Sequence, residues 1–246
     1  MAWVAVTFGP IRACGPVGAL MAEQDGGLVM RDGGEDMTAA RSMDDRTPAP
    51  ASVDLYWLPL GAGGHSVRFN GMVYEAISSL MERRPRCDVY HSALEIQVPT
   101  GLYAVEMTPV PNRRGWERGV VAGGPVGVSA AGRVRIFRYE IRCWRNGVIP
   151  DLRYAVASPV RVSNDRAIAH RILELLPTVP TATWGRDELE AGEMWSCNSV
   201  ISWALARAGL DPETILLPSH GRAPGWDAGI AVARRQLTLV LASQAA

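Results

Sequence analysis

The chain has 246 residues, 48% of them apolar, which is enough for one sizeable domain with a real core. Its 25 basic and 25 acidic residues leave no formal net charge, which argues against a dedicated nucleic-acid or anionic-membrane surface, since such surfaces show as a basic excess. All 25 basic residues are arginine. That reflects either a compositional bias or arginine-specific recognition of carboxylate or phosphate, and it rules out a lysine Schiff base, a phosphate-loop lysine and a lysine general base.

Residues 1–52 read as a tail. The start, MAWVAVTFGPIRACGPVGALMA, lacks a basic leader and is broken by Gly, Pro and Arg12, so it does not read as a signal peptide. The Gly/Asp/Pro/Ser-rich stretch that follows has no sustained period and reads as disordered or loosely attached. No apolar run reaches the ~18–20 residues of a membrane span, and the expectation is a soluble, cytoplasmic chain.

Ordered sequence begins at VDLYWLPLGAGG, a short strand ending in a glycine loop, and GMVYEAISSLMERRP reads as a helix or strand–helix piece stopped by Pro85. A hairpin follows. Tyr90, Leu94, Ile96 and Val98 alternate with His91, Ala93, Glu95 and Gln97, and Tyr103, Val105 and Met107 alternate with Ala104, Glu106 and Thr108. The VPTG between them suits a turn with Pro99 second and Gly101 fourth, pairing Ala93 opposite Glu106, whereas a slightly wider loop would put His91 and Glu106 directly opposite. A second hairpin is expected at 133–156. There Phe137, Tyr139, Ile141 and Cys143 share one face, Arg138, Glu140 and Arg142 the other, and Asn146-Gly147 forms the turn. After Pro159 the period becomes helical: Ser163 is placed to cap NDRAIAHRILELL, which Pro177 stops. A loop, TATWGRDELEAGEM, leads to WSCNSVISWALARAGLD, where Val200, Ile201, Ala204, Leu205 and Ala208 line one helical face and Gly209 ends it. A Gly/Pro-rich loop, LPSHGRAPGWDAG, precedes a weak terminal helix over 228–246. The class is α+β, an antiparallel sheet packed against helices, with one domain at 53–232, an insert near 111–160 and a C-terminal helix or tail at 233–246.

The four cysteines, Cys14, Cys87, Cys143 and Cys197, are far apart and form no C-x-x-C pair, so neither a zinc site nor a disulfide framework is expected. With Ser196 as N-cap, Cys197 occupies a first helical turn, where free N–H groups and the helix dipole favour a thiolate. The same position suits a buried small apolar residue. A thiolate nucleophile needs a base. Of the four histidines, His91 is fixed by a strand and flanked by the small Ser92 and Ala93. His65 after a glycine loop is second, and His170 and His220 read as a helix-surface and a loop residue. Any register that pairs the two apolar faces puts His91 and Glu106 on one face, within the ~5–8 Å of cross-strand neighbours. Glu106 can then orient the imidazole, with Glu95 as the fallback. Tyr90, Trp184 and Trp195 are candidates to line an apolar substrate cleft.

The motifs YHSALEI…YAVEM and, about a hundred residues on, WSCNSVISWAL resemble the circularly permuted NlpC-type, papain-like cysteine hydrolases, a group that includes lecithin:retinol acyltransferase-like proteins. The resemblance covers roughly residues 53–210. It implies a permuted papain-like fold with Cys197 as nucleophile, His91 as base and Glu106 as orienting acid. The activity implied is hydrolysis or acyl transfer through a thioester on a small-molecule, peptide or lipid substrate, with no cofactor or metal. Trp195-Ser196 before the cysteine and Asn198 after it depart from the family pattern, and the 111–160 insert has no counterpart in it. The competing reading is a non-catalytic binding module on the same fold, with Cys197 inert.

Overall fold

The fold is that of a computed structural model, which describes residues 50–60, 87–110 and 119–244. The tail at 1–49, the helical piece at 71–84 and His65 lie outside the described residues. Among the described residues, seven strands form one sheet: β1 (Ser52–Pro59), β2 (Asp88–Val98), β3 (Gly101–Pro109), β4 (Val120–Pro125), β5 (Arg138–Arg145), β6 (Val156–Ser163) and β7 (Gly221–Arg222). Their order is β4-β5-β3-β2-β1-β6, antiparallel throughout, and the short β7 pairs in parallel with the start of β2. The described residues also form three α-helices, α1 (Arg166–Leu175), α2 (Cys197–Arg207) and α3 (Trp226–Gln244), in an α+β fold.

The β2–β3 register is the one the VPTG turn predicts. Val98 pairs with Gly101 and Leu94 with Val105, so Leu94, Ile96, Val105 and Met107 face the main core with Val53, Leu55 and Trp57 of β1. Each such side chain contributes about 1.5–3 kcal/mol on burial. The opposite face is covered too. Leu58, Ala93 and Ala104 form a second apolar cluster with Ile149, packed by Tyr56, Trp144, Leu152 and Ala155. Trp57 and Leu58 are therefore both fully buried although they point to opposite faces.

That outer cover replaces the expected second hairpin. Asn146 adopts φ 55° and the chain does turn there, but β5 pairs with β3 and β4, and the next strand, β6, pairs with β1 near the far edge. Between them, residues 146–155 cross the outer face and supply Ile149 and Leu152. Gly147 is required because a Cβ there would lie 1.7 Å from the Trp144 indole nitrogen, which folds over it. β6 crosses Pro159, which an edge strand tolerates because its outward N–H is not needed. Ser163 belongs to β6, and the cap of α1 is Asp165, whose side chain accepts from the Ala167 N–H at 2.7 Å. Phe137 is exposed rather than inward-facing, since the strand begins only at Arg138.

Helix α2 is buried on all sides. Its apolar face meets the sheet, and its serines meet the segment leading into α3. Ser196, Ser199 and Ser202 donate to the carbonyls of Pro224, Gly225 and Trp226, each at 2.7 Å. These hydroxyls satisfy backbone acceptors that would otherwise be buried and unpaired. The terminal helix starts at Trp226, with Ala228, Ile230, Val232 and Ala233 in the core, so the expected domain end at 232 falls inside α3.

Candidate functional site

Ser196 caps α2 as its sequence implies. Its backbone is extended, its hydroxyl accepts from the Asn198 N–H at 3.1 Å, and the Ser199 hydroxyl accepts from the Ser196 N–H at 2.9 Å. Cys197 is thus the first helical residue. The backbone N–H groups of Asn198, Ser92 and Cys197 itself and the Ser196 hydroxyl all favour a thiolate, but burial outweighs them and pushes the thiol up to about 11. Only 5% of the residue is exposed. At neutral pH it is a neutral thiol in a packed core.

The sheet separates this thiol from the other two residues expected beside it. Cys197 packs in the main core with Tyr90 and Leu94. His91 pairs across with Leu58, which faces the second cluster, so the imidazole leaves the strand on the side away from α2. Burial alone pushes that imidazole down to about 4, with no upward pull from a carboxylate. Glu106 shares the His91 face, as the register requires, but its carboxylate is held by Arg142 at 3.2 Å. Arg142 also binds Glu140 at 3.2 Å and lies 5.4 Å over the Trp144 ring. Burial raises the Glu106 pKa and the guanidinium lowers it again. Glu95 accepts from the Tyr56 hydroxyl at 2.8 Å.

The three candidate cleft aromatics are packing residues. Tyr90 and Trp195 are buried in the core, and Trp184 is half-buried with its ring edge-on to Tyr139 at 6.1 Å. Backbone bonds tie Trp184 to Pro125 and Gly127 beside β4.

Asn198 and Gly221, neither of them a candidate site residue, organise the region. The Asn198 amide nitrogen donates to the carbonyls of Tyr90 at 3.0 Å and Pro224 at 2.9 Å, and its Oδ1 accepts from the Ser92 hydroxyl at 2.9 Å. One side chain thereby joins α2, β2 and the 218–225 strap. The strap is also pinned by β7, where Gly221 lies against the Tyr90 ring so closely that a Cβ would approach it to 2.4 Å. The signal for Asn198 was its departure from the family pattern at the position after the cysteine.

An open cleft of about 440 Å³ lies elsewhere, at the β4–β5 edge, lined by Val110, Val120, Arg133, Arg135, Arg138 and Glu140 among others. Its arginines come from the turn between β4 and β5 and from the start of β5. Arg133 and Arg138 are exposed, and neither is paired with a carboxylate among the described residues. Glu140 is engaged by Arg142. Among the described residues there is no group of three or more His, Cys, Asp or Glu side chains placed to hold a metal ion, and no helix long and apolar enough to cross a membrane. No protein-family model matches the chain, and no curated protein or solved structure matches it either.

Proposed function

We propose that the chain is a non-catalytic binding module whose working site is the arginine-lined cleft at β4–β5, which takes an anionic, oxygen-rich group such as phosphate or carboxylate. The observation that carries this reading is the convergence of Arg133, Arg135 and Arg138 on one open cleft. Guanidinium groups suit such oxyanions because their donors form a planar fork. The cysteine, histidine and glutamate meanwhile lie on two faces of a sheet. The test is calorimetry and thermal unfolding with inorganic pyrophosphate, using the native chain and Arg133→Gln/Arg138→Gln. Pyrophosphate at ten times its dissociation constant should stabilise the native chain by about 1.4 kcal/mol and leave the variant unmoved. Equal responses from both proteins overturn the reading.

One observation favours the cysteine hydrolase of permuted papain-like type as the second reading: Cys197 is the first residue of a capped helix, where the surrounding backbone N–H groups favour a thiolate. Catalysis would require the 218–225 strap to withdraw and a base to reach the thiol from the near face of the sheet. Alkylation resolved by cysteine decides between them. The binding reading expects Cys197 to react slowly at neutral pH, its rate climbing past pH 9 towards the pKa of about 11. Fast alkylation of Cys197 below pH 8 restores the hydrolase.

A further inference from the structure

The arginines of the cleft alternate with exposed apolar residues. In the turn between β4 and β5, Val134 is 53% exposed, Ile136 67% and Phe137 47%. They sit between Arg133, Arg135 and Arg138: Val134 links two short 3-10 turns, Ser129–Arg133 and Arg135–Phe137, and Ile136 and Phe137 lie in the second. Contiguous exposed apolar side chains on a folded domain mark an interaction surface.

The base of this turn is fixed while its tip is bare. The Val126 N–H donates to the Phe137 carbonyl at 2.8 Å, and the Phe137 N–H to the Val134 carbonyl at 2.9 Å. Ser129 donates to Glu188 at 2.6 Å, and Glu188 also accepts from the Thr183 N–H at 2.8 Å. The tip is therefore presented without a large ordering cost on binding.

Resting on the anion site proposed above, we infer that this turn docks the protein peripherally on an anionic phospholipid surface. Val134, Ile136 and Phe137 enter the headgroup–acyl boundary, and Arg133 and Arg138 meet lipid phosphates at the mouth of the cleft. Charge and chemistry select this occupant. A second copy of the same surface would bring like-charged arginines together. A nucleic acid would want stacking rings, and two of the three tip side chains are aliphatic, suited to hydrocarbon and unable to stack on bases. The neutral total charge is no obstacle, because attraction to a membrane is local and fades within a Debye length of about 8–10 Å.

The test is sedimentation of the full chain with phosphatidylcholine vesicles, with and without phosphatidylserine, beside the pyrophosphate measurement. The native chain should sediment with the mixed vesicles, weakly or not at all with phosphatidylcholine alone, and less as salt is raised. Ile136→Ser/Phe137→Ser should lose most vesicle binding and keep its response to pyrophosphate, since neither residue lines the cleft. Arg133→Gln/Arg138→Gln should lose the response to pyrophosphate and, at about fivefold per arginine, tenfold or more of the vesicle binding. Urea unfolding matching the native chain shows that both variants are folded. Vesicle binding unchanged in Ile136→Ser/Phe137→Ser overturns the inference. So does a native chain that binds pyrophosphate but not mixed vesicles, an outcome that leaves the cleft reading standing. Tighter binding to single-stranded RNA than to vesicles overturns it as well.

Discussion

The Ser92 hydroxyl donates to Asn198 Oδ1 over 2.9 Å in a site sealed from water, and this bond locks the cysteine helix to the centre of the sheet. Replacing Asn198 by Ala removes the acceptor of Ser92 and the donor to two carbonyls, those of Tyr90 and Pro224. Buried polar groups left unpaired cost about 1–3 kcal/mol each. The expected loss is about 3 kcal/mol or more in urea unfolding, accompanied by faster alkylation of Cys197 as the strap loosens. A loss within about 0.5 kcal/mol, the range of ordinary surface changes, would show that the network is not the fastening it is taken to be.

Gly229 marks the closest approach of α3 to α2. A Cβ there would lie 2.1 Å from both the Ser199 carbonyl oxygen and the Ser202 hydroxyl. Alanine improves helix propensity by about 1 kcal/mol, but it meets backbone that cannot yield without parting the two helices. Overpacking of this kind costs about 1–3 kcal/mol or more. Gly229→Ala is expected to be net destabilising, by about 2 kcal/mol in chemical denaturation.

Arg142 serves two buried carboxylates, Glu106 and Glu140, each with a contact at 3.2 Å. Arg142→Leu takes this cation from Glu106, a change worth about 3–5 kcal/mol in comparable buried pairs. Burial already raises the Glu106 pKa, and loss of the guanidinium raises it further. A carboxyl with a raised folded-state pKa contributes stability at low pH that disappears as pH rises. The variant should therefore recover on acidification towards about pH 5 relative to about pH 8, while Glu106→Gln combined with Arg142→Leu should recover less.

Two groups give the folded protein opposite slopes with pH. His91 is pushed from 6.5 to about 4 by burial. The unfolded chain then takes up a proton that the folded chain refuses, so stability falls from pH 6.5 towards 4, by about 3 kcal/mol in full. Glu193, whose carboxylate accepts from backbone N–H groups at the start of α3, is raised from 4.5 to about 7 by burial. Its contribution is complete below 4.5 and is lost as pH rises through 7. Thermal unfolding across this range should show a flatter acid limb in His91→Gln and a flatter limb between 4.5 and 7 in Glu193→Gln.

The β2–β3 hairpin, its register and the Ser196 cap were legible because period-two alternation, a Pro/Gly turn and a capping hydroxyl are local signals. Strand β6 was not, because Pro159 interrupts its alternation and the strand is recruited by β1, about a hundred residues earlier in the chain. Asn146-Gly147 announced a reversal, but a turn residue says nothing about which strand receives the chain afterwards. The candidate site divides in the same way. Alternation already placed His91 opposite Leu94, the face on which α2 packs, and that alone separates the imidazole from Cys197. Glu106 and His91 did fall on one face, but the partner of Glu106 came from β5, whose place beside β3 no local pattern encodes. The arginine cleft arises only when the β4–β5 turn folds back beside its own strands, and the zero net charge hid it.

The position of β1 in the sheet has a consequence during synthesis. This strand emerges from the ribosome early, and one side of it pairs with β2, which follows within a few dozen residues. Its other side stays open until β6 ends at Ser163, and the apolar face of Val53, Leu55 and Trp57 waits longer still for α2 and α3. A nascent chain stalled or cleaved before that point exposes an unpaired edge beside a greasy face, the combination most prone to join the wrong partner. Chaperone dependence should thus be greatest for truncations ending before residue 163 and should fall once 226–233 has been made.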